Sequence, residues 1–153
     1  MEGLLRPQVD EDGLPFWEAA NRGELSIQCC GNCGRLRFPP RPLCPNCASF
    51  DCRWTVVSGR GEVWSYVVAH PPLLAWYASY APYLVVLVAL EEDSQVRLIG
   101  NVVSQRDAPI NELDSGLVWI GMPVQAVFPQ ITPEFVLPRW TPRASCVPFR
   151  RRG

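Results

Sequence analysis

The residues best equipped for chemistry are cysteines. Cys30-Gly31-Asn32-Cys33 and Cys44-Pro45-Asn46-Cys47 are two Cys-x-x-Cys turns with ten residues between them. Each such turn aims both of its sulfurs into one corner, and two corners facing each other make a four-thiolate site. Gly34 follows the first pair, where the tight turn needs a residue that tolerates positive φ. Four thiolates at tetrahedral positions suit Zn²⁺ at about 2.3 Å per bond. Thiolates alone do not choose between metals, so rubredoxin-like iron is a second reading and a pair of disulfides a third. Four protein ligands leave no open position for water or substrate. The metal is therefore expected to fold the chain and not to react, and zinc binding is worth roughly 10–16 kcal/mol in small ribbons. Cys29, beside Cys30, would give a three-residue spacing less common in such turns, so Cys30 is the expected ligand.

Other reactive groups are scattered. Arg35, Arg37 and Arg41 fall within seven residues between the two cysteine pairs. They read either as a solvated face or as a set of phosphate contacts. Trp76, Tyr77 and Tyr80 crowd a short stretch between prolines, where surface aromatics mark binding and buried ones fill a core. His70 is the single histidine, and no nucleophile–base–orienter set assembles around it. Cys146 has no partner nearby in sequence and Cys52 reads as a small buried residue.

Composition narrows the function classes. The 153 residues suffice for one domain or two small ones, and 48% are apolar, enough for a real core. A net charge of −1 offers no field to hold a polyanion, which argues against nucleic acid as the partner. All 14 basic residues are arginine. No charged-then-apolar leader and no apolar run of 18 residues is present, so no membrane association is expected. An odd count of seven cysteines, four of them in a metal pattern, suggests a reducing cytoplasm.

These groups need elements to position them. Residues 1–24 form an N-terminal segment with a short helix over 14–23, which Asp12 would cap and Gly23 would end. Its Phe16 and Trp17 must dock, on this chain or on a partner. Residues 25–52 make the ribbon, led in by an alternating strand at 25–28. Residues 53–130 carry five strands, at 54–57, 62–70, 83–90, 96–103 and a last one supplied by 117–120 and, after Gly121-Met122-Pro123, by 124–128. The run 83–90 is apolar throughout and reads as a strand buried on both faces, and Gly100 as a bulge. Five strands with an excursion after the second predict a mainly β chain with a small Greek-key OB-fold barrel. Residues 131–153 are an extended tail rich in proline and arginine, with no strand period, expected to wrap over the barrel or a partner.

The order of parts is distinctive. A Phe16-Trp17 helix precedes the Cys-x-x-Cys-Gly turn and the phrase Phe38-Pro39-Pro40-Arg41-Pro42-Leu43-Cys44-Pro45-Asn46-Cys47. Ser58-Gly59-Arg60-Gly61 then enters the barrel, Pro82-Tyr83 opens an apolar strand, and Gly121-Met122-Pro123-Val124 opens the last one. Together these resemble the acyl-CoA-associated zinc-ribbon/OB-fold family, long labelled a domain of unknown function, over roughly residues 14 to 130. The resemblance implies a companion subunit with no catalysis of its own, bearing structural Zn²⁺. It implies a partner of thiolase fold, of the lipid-transfer-protein-like kind, and a shared coenzyme A thioester site. The reaction would be carbon–carbon cleavage of a bulky acyl-CoA, for example of steroid type, by retro-aldol chemistry or thiolysis. A hot-dog-fold enoyl-CoA hydratase is the alternative partner, and a nucleic-acid-binding ribbon/OB module the rival class. On this view Arg35, Arg37 and Arg41 would meet the coenzyme phosphates. Trp76, Tyr77 and Tyr80 would meet the acyl group or the partner.

Overall fold

The computed structural model describes residues 7–143. Cys146 and the last ten residues of the tail lie outside them.

Helix α1, Leu14–Asn21, starts with Pro15 in its first turn, where a missing N–H costs nothing. Asp10, not the expected Asp12, steadies its start: its carboxylate accepts from the Gly13 N–H at 2.7 Å. Gly23, at φ +79°, follows its end. Phe16, Ala19 and Ala20 are buried. The Phe16 ring lies 5.2 Å from that of Phe38, and the Trp17 ring 5.1 Å from that of Phe135. The aromatic face of this helix is therefore spent on its own chain.

Strand β1, Leu25–Cys30, is buried along its whole length. It is the centre of a three-stranded antiparallel sheet, between β2, Leu36–Arg37, and β3, Cys52–Val57. The strand at 54–57, expected to belong to the barrel, hydrogen-bonds instead to the ribbon, with Leu25 opposite Val57 and Cys30 opposite Cys52. Cys52 is exposed, contrary to its reading as a buried filler.

The second sheet has five strands: β4, Arg60–Ala69; β5, Tyr83–Leu90; β6, Arg97–Gly100; β7, Pro123–Val127; and β10, Arg139–Pro142. Between β7 and β10 lies a small hairpin of β8, Gln130–Thr132, and β9, Phe135–Val136. The order across the sheet is β10-β7-β4-β5-β6. Its two ends meet: the Trp140 N–H donates to the Asn101 carbonyl at 2.9 Å, and the Val103 N–H to the Trp140 carbonyl at 2.8 Å. That contact is parallel and all the ladders are antiparallel. A five-stranded Greek-key barrel closed in this way is the OB-fold.

The fifth barrel strand thus comes from the tail. Its Trp140 is 2% exposed and belongs to the main core with Val63, Val86, Val88, Leu98 and Val124. Strand β5 is not buried on both faces: its residues alternate buried and half-buried up to Val88. Gly100 pairs regularly with Val86, and the irregularity falls at Trp64 in β4. Residues 117–120 form no strand: Leu117 closes a 3₁₀ turn, Ser115–Leu117, and 118–120 are irregular. Phe16, Leu25 and Ile27 join the same core as the barrel residues, so ribbon and barrel share one interior.

Candidate functional site

Strand alternation decides which of two adjacent cysteines can be a ligand. Cys29 and Cys30 end β1 and face opposite ways. The Cys29 thiol lies 3.3 Å from the Gly34 carbonyl, outside the cluster. Cys30, Cys33, Cys44 and Cys47 place all four sulfurs within 4.8 Å of one another. Cys30 Sγ is 3.6 Å from Cys47 Sγ, and Cys33 Sγ is 3.7 Å from Cys44 Sγ. A tetrahedral ion with bonds of about 2.3 Å requires sulfurs about 3.8 Å apart, so the four cysteines fit a metal ion.

Two matching turns build the cluster. The Gly34 N–H donates to the Cys30 carbonyl at 3.0 Å, and the Ala48 N–H to the Cys44 carbonyl at 2.9 Å. Each turn closes with a residue of positive φ, Gly34 at +71° and Ala48 at +55°. Amide dipoles favour the thiolate form at Cys33 and Cys44, whereas Cys30, despite the Cys33 N–H, is pushed up by burial and the neighbouring thiols. The Asn46 N–H, with help from that of Cys47, draws the Cys44 thiol down to about 6. The Arg35 N–H, with the Asn46 side chain, lowers Cys33. Cys30 and Cys44 are buried while Cys33 is exposed, so the centre sits just under the surface.

The three hairpin arginines differ in their surroundings. Arg35 and Arg41 are exposed. Arg37 is 8% exposed, and its Nε donates to Gln28 Oε1 at 2.6 Å while Nη2 donates to the Arg41 carbonyl at 3.0 Å. This guanidinium ties the hairpin to β1, while its Nη1 is buried and meets no acceptor among the described residues.

The aromatic stretch folds as one helical turn, α2, Ala75–Ala78, in the connection between β4 and β5. Trp76 meets Tyr77 edge to face at 4.8 Å and Tyr80 at 4.8 Å with the planes tilted by 41°. Tyr77 and Tyr80 also pack on a small second core of Val103, Ala108 and Ile110. This connection and the β7–β10 connection together flank one mouth of the barrel, the pair of loops with which OB-folds hold ligands. A pocket of about 300 Å³ opens there, lined by Trp76, Tyr80, Ala108, Ile110, Gln130 and Arg139 among others. Arg139 was not legible as a site residue, because nothing in the tail's sequence places it beside residues 76–80. A larger cleft of about 780 Å³ runs between α1, the end of β3, β7 and the β8–β9 hairpin, and none of the predicted site residues lines it. His70 follows β4 and is exposed. No helix among the described residues is long and apolar enough to cross a membrane.

Two family models match in succession: the rubredoxin-like zinc ribbon domain of ChsH2 over residues 17–52, and its C-terminal OB-fold domain over residues 54–129. A probable enoyl-CoA hydratase alpha subunit from Thermomonospora curvata is 39% identical over 90% of this chain, covering 39% of that protein. The 3-oxo-4,17-pregnadiene-20-carboxyl-CoA hydratase alpha subunit of Mycobacterium tuberculosis is 34% identical over 92% of this chain and 41% of its own. The chain spans about two fifths of the length of these two curated relatives. A solved structure described as the Ltp2-ChsH2(DUF35) aldolase contains a chain that superposes with a TM-score of 0.76 at 38% identity, covering 90% of this chain and 98% of that one. The ribbon cysteines, the tail-closed barrel and these matches together make this chain a member of the ChsH2/DUF35 family of zinc-ribbon/OB-fold proteins.

Proposed function

We propose that this chain is the companion subunit of an acyl-CoA aldolase, bound to a catalytic partner of thiolase fold. The observation that carries the reading is the extent of the match: 98% of the ChsH2(DUF35) chain in a structure described as an aldolase finds a counterpart here. Zn²⁺ held by Cys30, Cys33, Cys44 and Cys47 would cross-link the two turns of the ribbon and supply no reaction chemistry, since its four positions are filled by sulfur. The chain's own contribution is surface. Ribbon and barrel share one core, so they present a rigid body to a partner. The substrate class is a bulky acyl-CoA thioester, a reading supported by the steroid-acid name of one relative. Thiols that serve as metal ligands suit a reducing compartment such as the cytoplasm.

A second reading has its own support. Both curated relatives above are named hydratase alpha subunits. Only about two fifths of each corresponds to this chain, so the aldolase reading fits the matched region better. Co-expression with candidate thiolase-fold and hot-dog-fold enzymes from the same genome decides between them. Co-elution and retro-aldol turnover with the thiolase-fold enzyme are expected. Stable association with the hydratase alone, or turnover of a thioester by this chain unaided, would overturn the reading.

A further inference from the structure

Arg139 stands out at the mouth of the barrel. It sits on β10 next to the core residue Trp140 and lines the 300 Å³ pocket opposite the aromatic loop. Its Nη1 donates to the Ala108 carbonyl at 3.1 Å. Its Nε is shut off from solvent and meets no acceptor among the described residues. No ion pair among the described residues involves this guanidinium. Asp107 also lines the pocket, but its carboxylate is turned to Arg106 at 3.7 Å and is largely exposed. A half-buried guanidinium without a carboxylate is costly unless an anion completes it. Burial indeed lowers the proton affinity of Arg139, only partly offset by Tyr80, Tyr77 and Asp107. Beside it, the Trp76 and Tyr80 rings, inclined to each other by 41°, line the same pocket.

We infer that this pocket takes a phosphorylated adenosine, the base stacking on Trp76 beside Tyr80 and a phosphate meeting Arg139. The inference rests on the acyl-CoA reading above and names the end of that ligand the pocket would hold. An acyl thioester chain carries no charge; the anionic groups of the coenzyme are the phosphates of its nucleotide end. A planar guanidinium matches phosphate with two parallel hydrogen bonds. Aromatic side chains stack on a purine whatever its substituents. A cation and aromatic rings sharing one small pocket therefore suit the nucleotide better than the acyl group first expected at Trp76 and Tyr80.

The test is calorimetric titration of the full-length protein with adenosine 3′,5′-bisphosphate, with adenosine and inorganic phosphate as separate titrants. The bisphosphate should bind, and each fragment should bind much more weakly. Arg139→Gln should weaken the bisphosphate by about tenfold or more, the size expected for a charge-assisted hydrogen bond. Trp76→Ala should weaken it, Asp107→Asn should tighten it by removing a like charge, and Arg35→Ala and Arg41→Ala should leave it unchanged. Should Arg139→Gln fail to fold, the Trp76 and Asp107 variants, which lie outside the barrel strands, carry the test. Absent binding, binding indifferent to all three pocket variants, or phosphate alone binding as tightly as the bisphosphate would overturn the inference. Co-elution with the thiolase-fold enzyme, measured without nucleotide, reports on the companion reading separately.

Discussion

The indole of Trp140 lies against Gly100. A Cβ on that glycine would come within 3.1 Å of both Trp140 Cδ1 and Nε1, closer than ordinary van der Waals contact. Glycine on β6 thus makes room for the one large side chain that β10 inserts into the core. Trp140→Ala should cost about 3–5 kcal/mol by opening a cavity at the seam of the barrel. Gly100→Val should cost about 1–3 kcal/mol by overpacking the same spot. Chemical denaturation of each variant checks both. A Trp140→Ala midpoint equal to wild type would mean that the tail strand does not close the barrel.

The two ribbon turns close on different residues, Gly34 and Ala48, and the difference has a sign. Ala48 holds φ +55° where its counterpart Gly34 holds +71°. An L-residue pays about 1–2 kcal/mol in that region, and glycine gives some of this back as chain entropy when unfolded. Ala48→Gly should therefore raise stability, by somewhat under 1 kcal/mol. Gly34→Ala should lower it by about 1–2 kcal/mol, from backbone strain alone, since nothing lies within 4 Å of the added carbon. Thermal melts of the metal-loaded protein check both directions.

Removing the metal should unfold the ribbon. The hairpin between the cysteine pairs has only β2, two residues long, as regular structure. Metal binding of roughly 10–16 kcal/mol exceeds anything so short a ladder supplies. Chelator treatment, or Cys44→Ser, should bleach the β1–β2 amides from hydrogen-exchange protection. Metal analysis of the untreated protein should return one zinc per chain. A red protein with visible thiolate–iron absorption would replace zinc with iron.

Arg37 should matter for folding and not for ligand. Gln28 Oε1 accepts from both Arg37 Nε at 2.6 Å and the Arg41 N–H at 2.8 Å, a buried junction between β1 and the hairpin. Arg37→Ala strips that carboxamide of its charged donor and should cost about 1.5–3 kcal/mol. Affinity of the assembled complex for an acyl-CoA, measured below the melting temperature of the variant, should stay unchanged. A loss of affinity at constant stability would restore Arg37 to the phosphate.

Local chemistry is what could be read from the chain directly. Cys30, Cys33, Cys44 and Cys47 were legible because ligand spacing is a property of neighbours in sequence, and so were α1 and the strands expected at 62–70, observed at 60–69, and at 83–90, each with its own apolar pattern. The register between Cys29 and Cys30 was legible only as a preference for turn spacing; strand alternation in β1 separates the two. Tertiary structure decided what depends on partners far along the chain. Strand β3 pairs with the ribbon and β10 replaces it in the barrel, because edge strands are chosen by which core they can help close, and Trp140 fills that core while 52–57 extends β1. Likewise Arg37 turned inward to Gln28, and Arg139, 59 positions after Tyr80 in the sequence, came to share a pocket with it. A side chain's charge is written in the sequence, but whether it faces water, a neighbour or a ligand is set by the folds of chain that pass beside it.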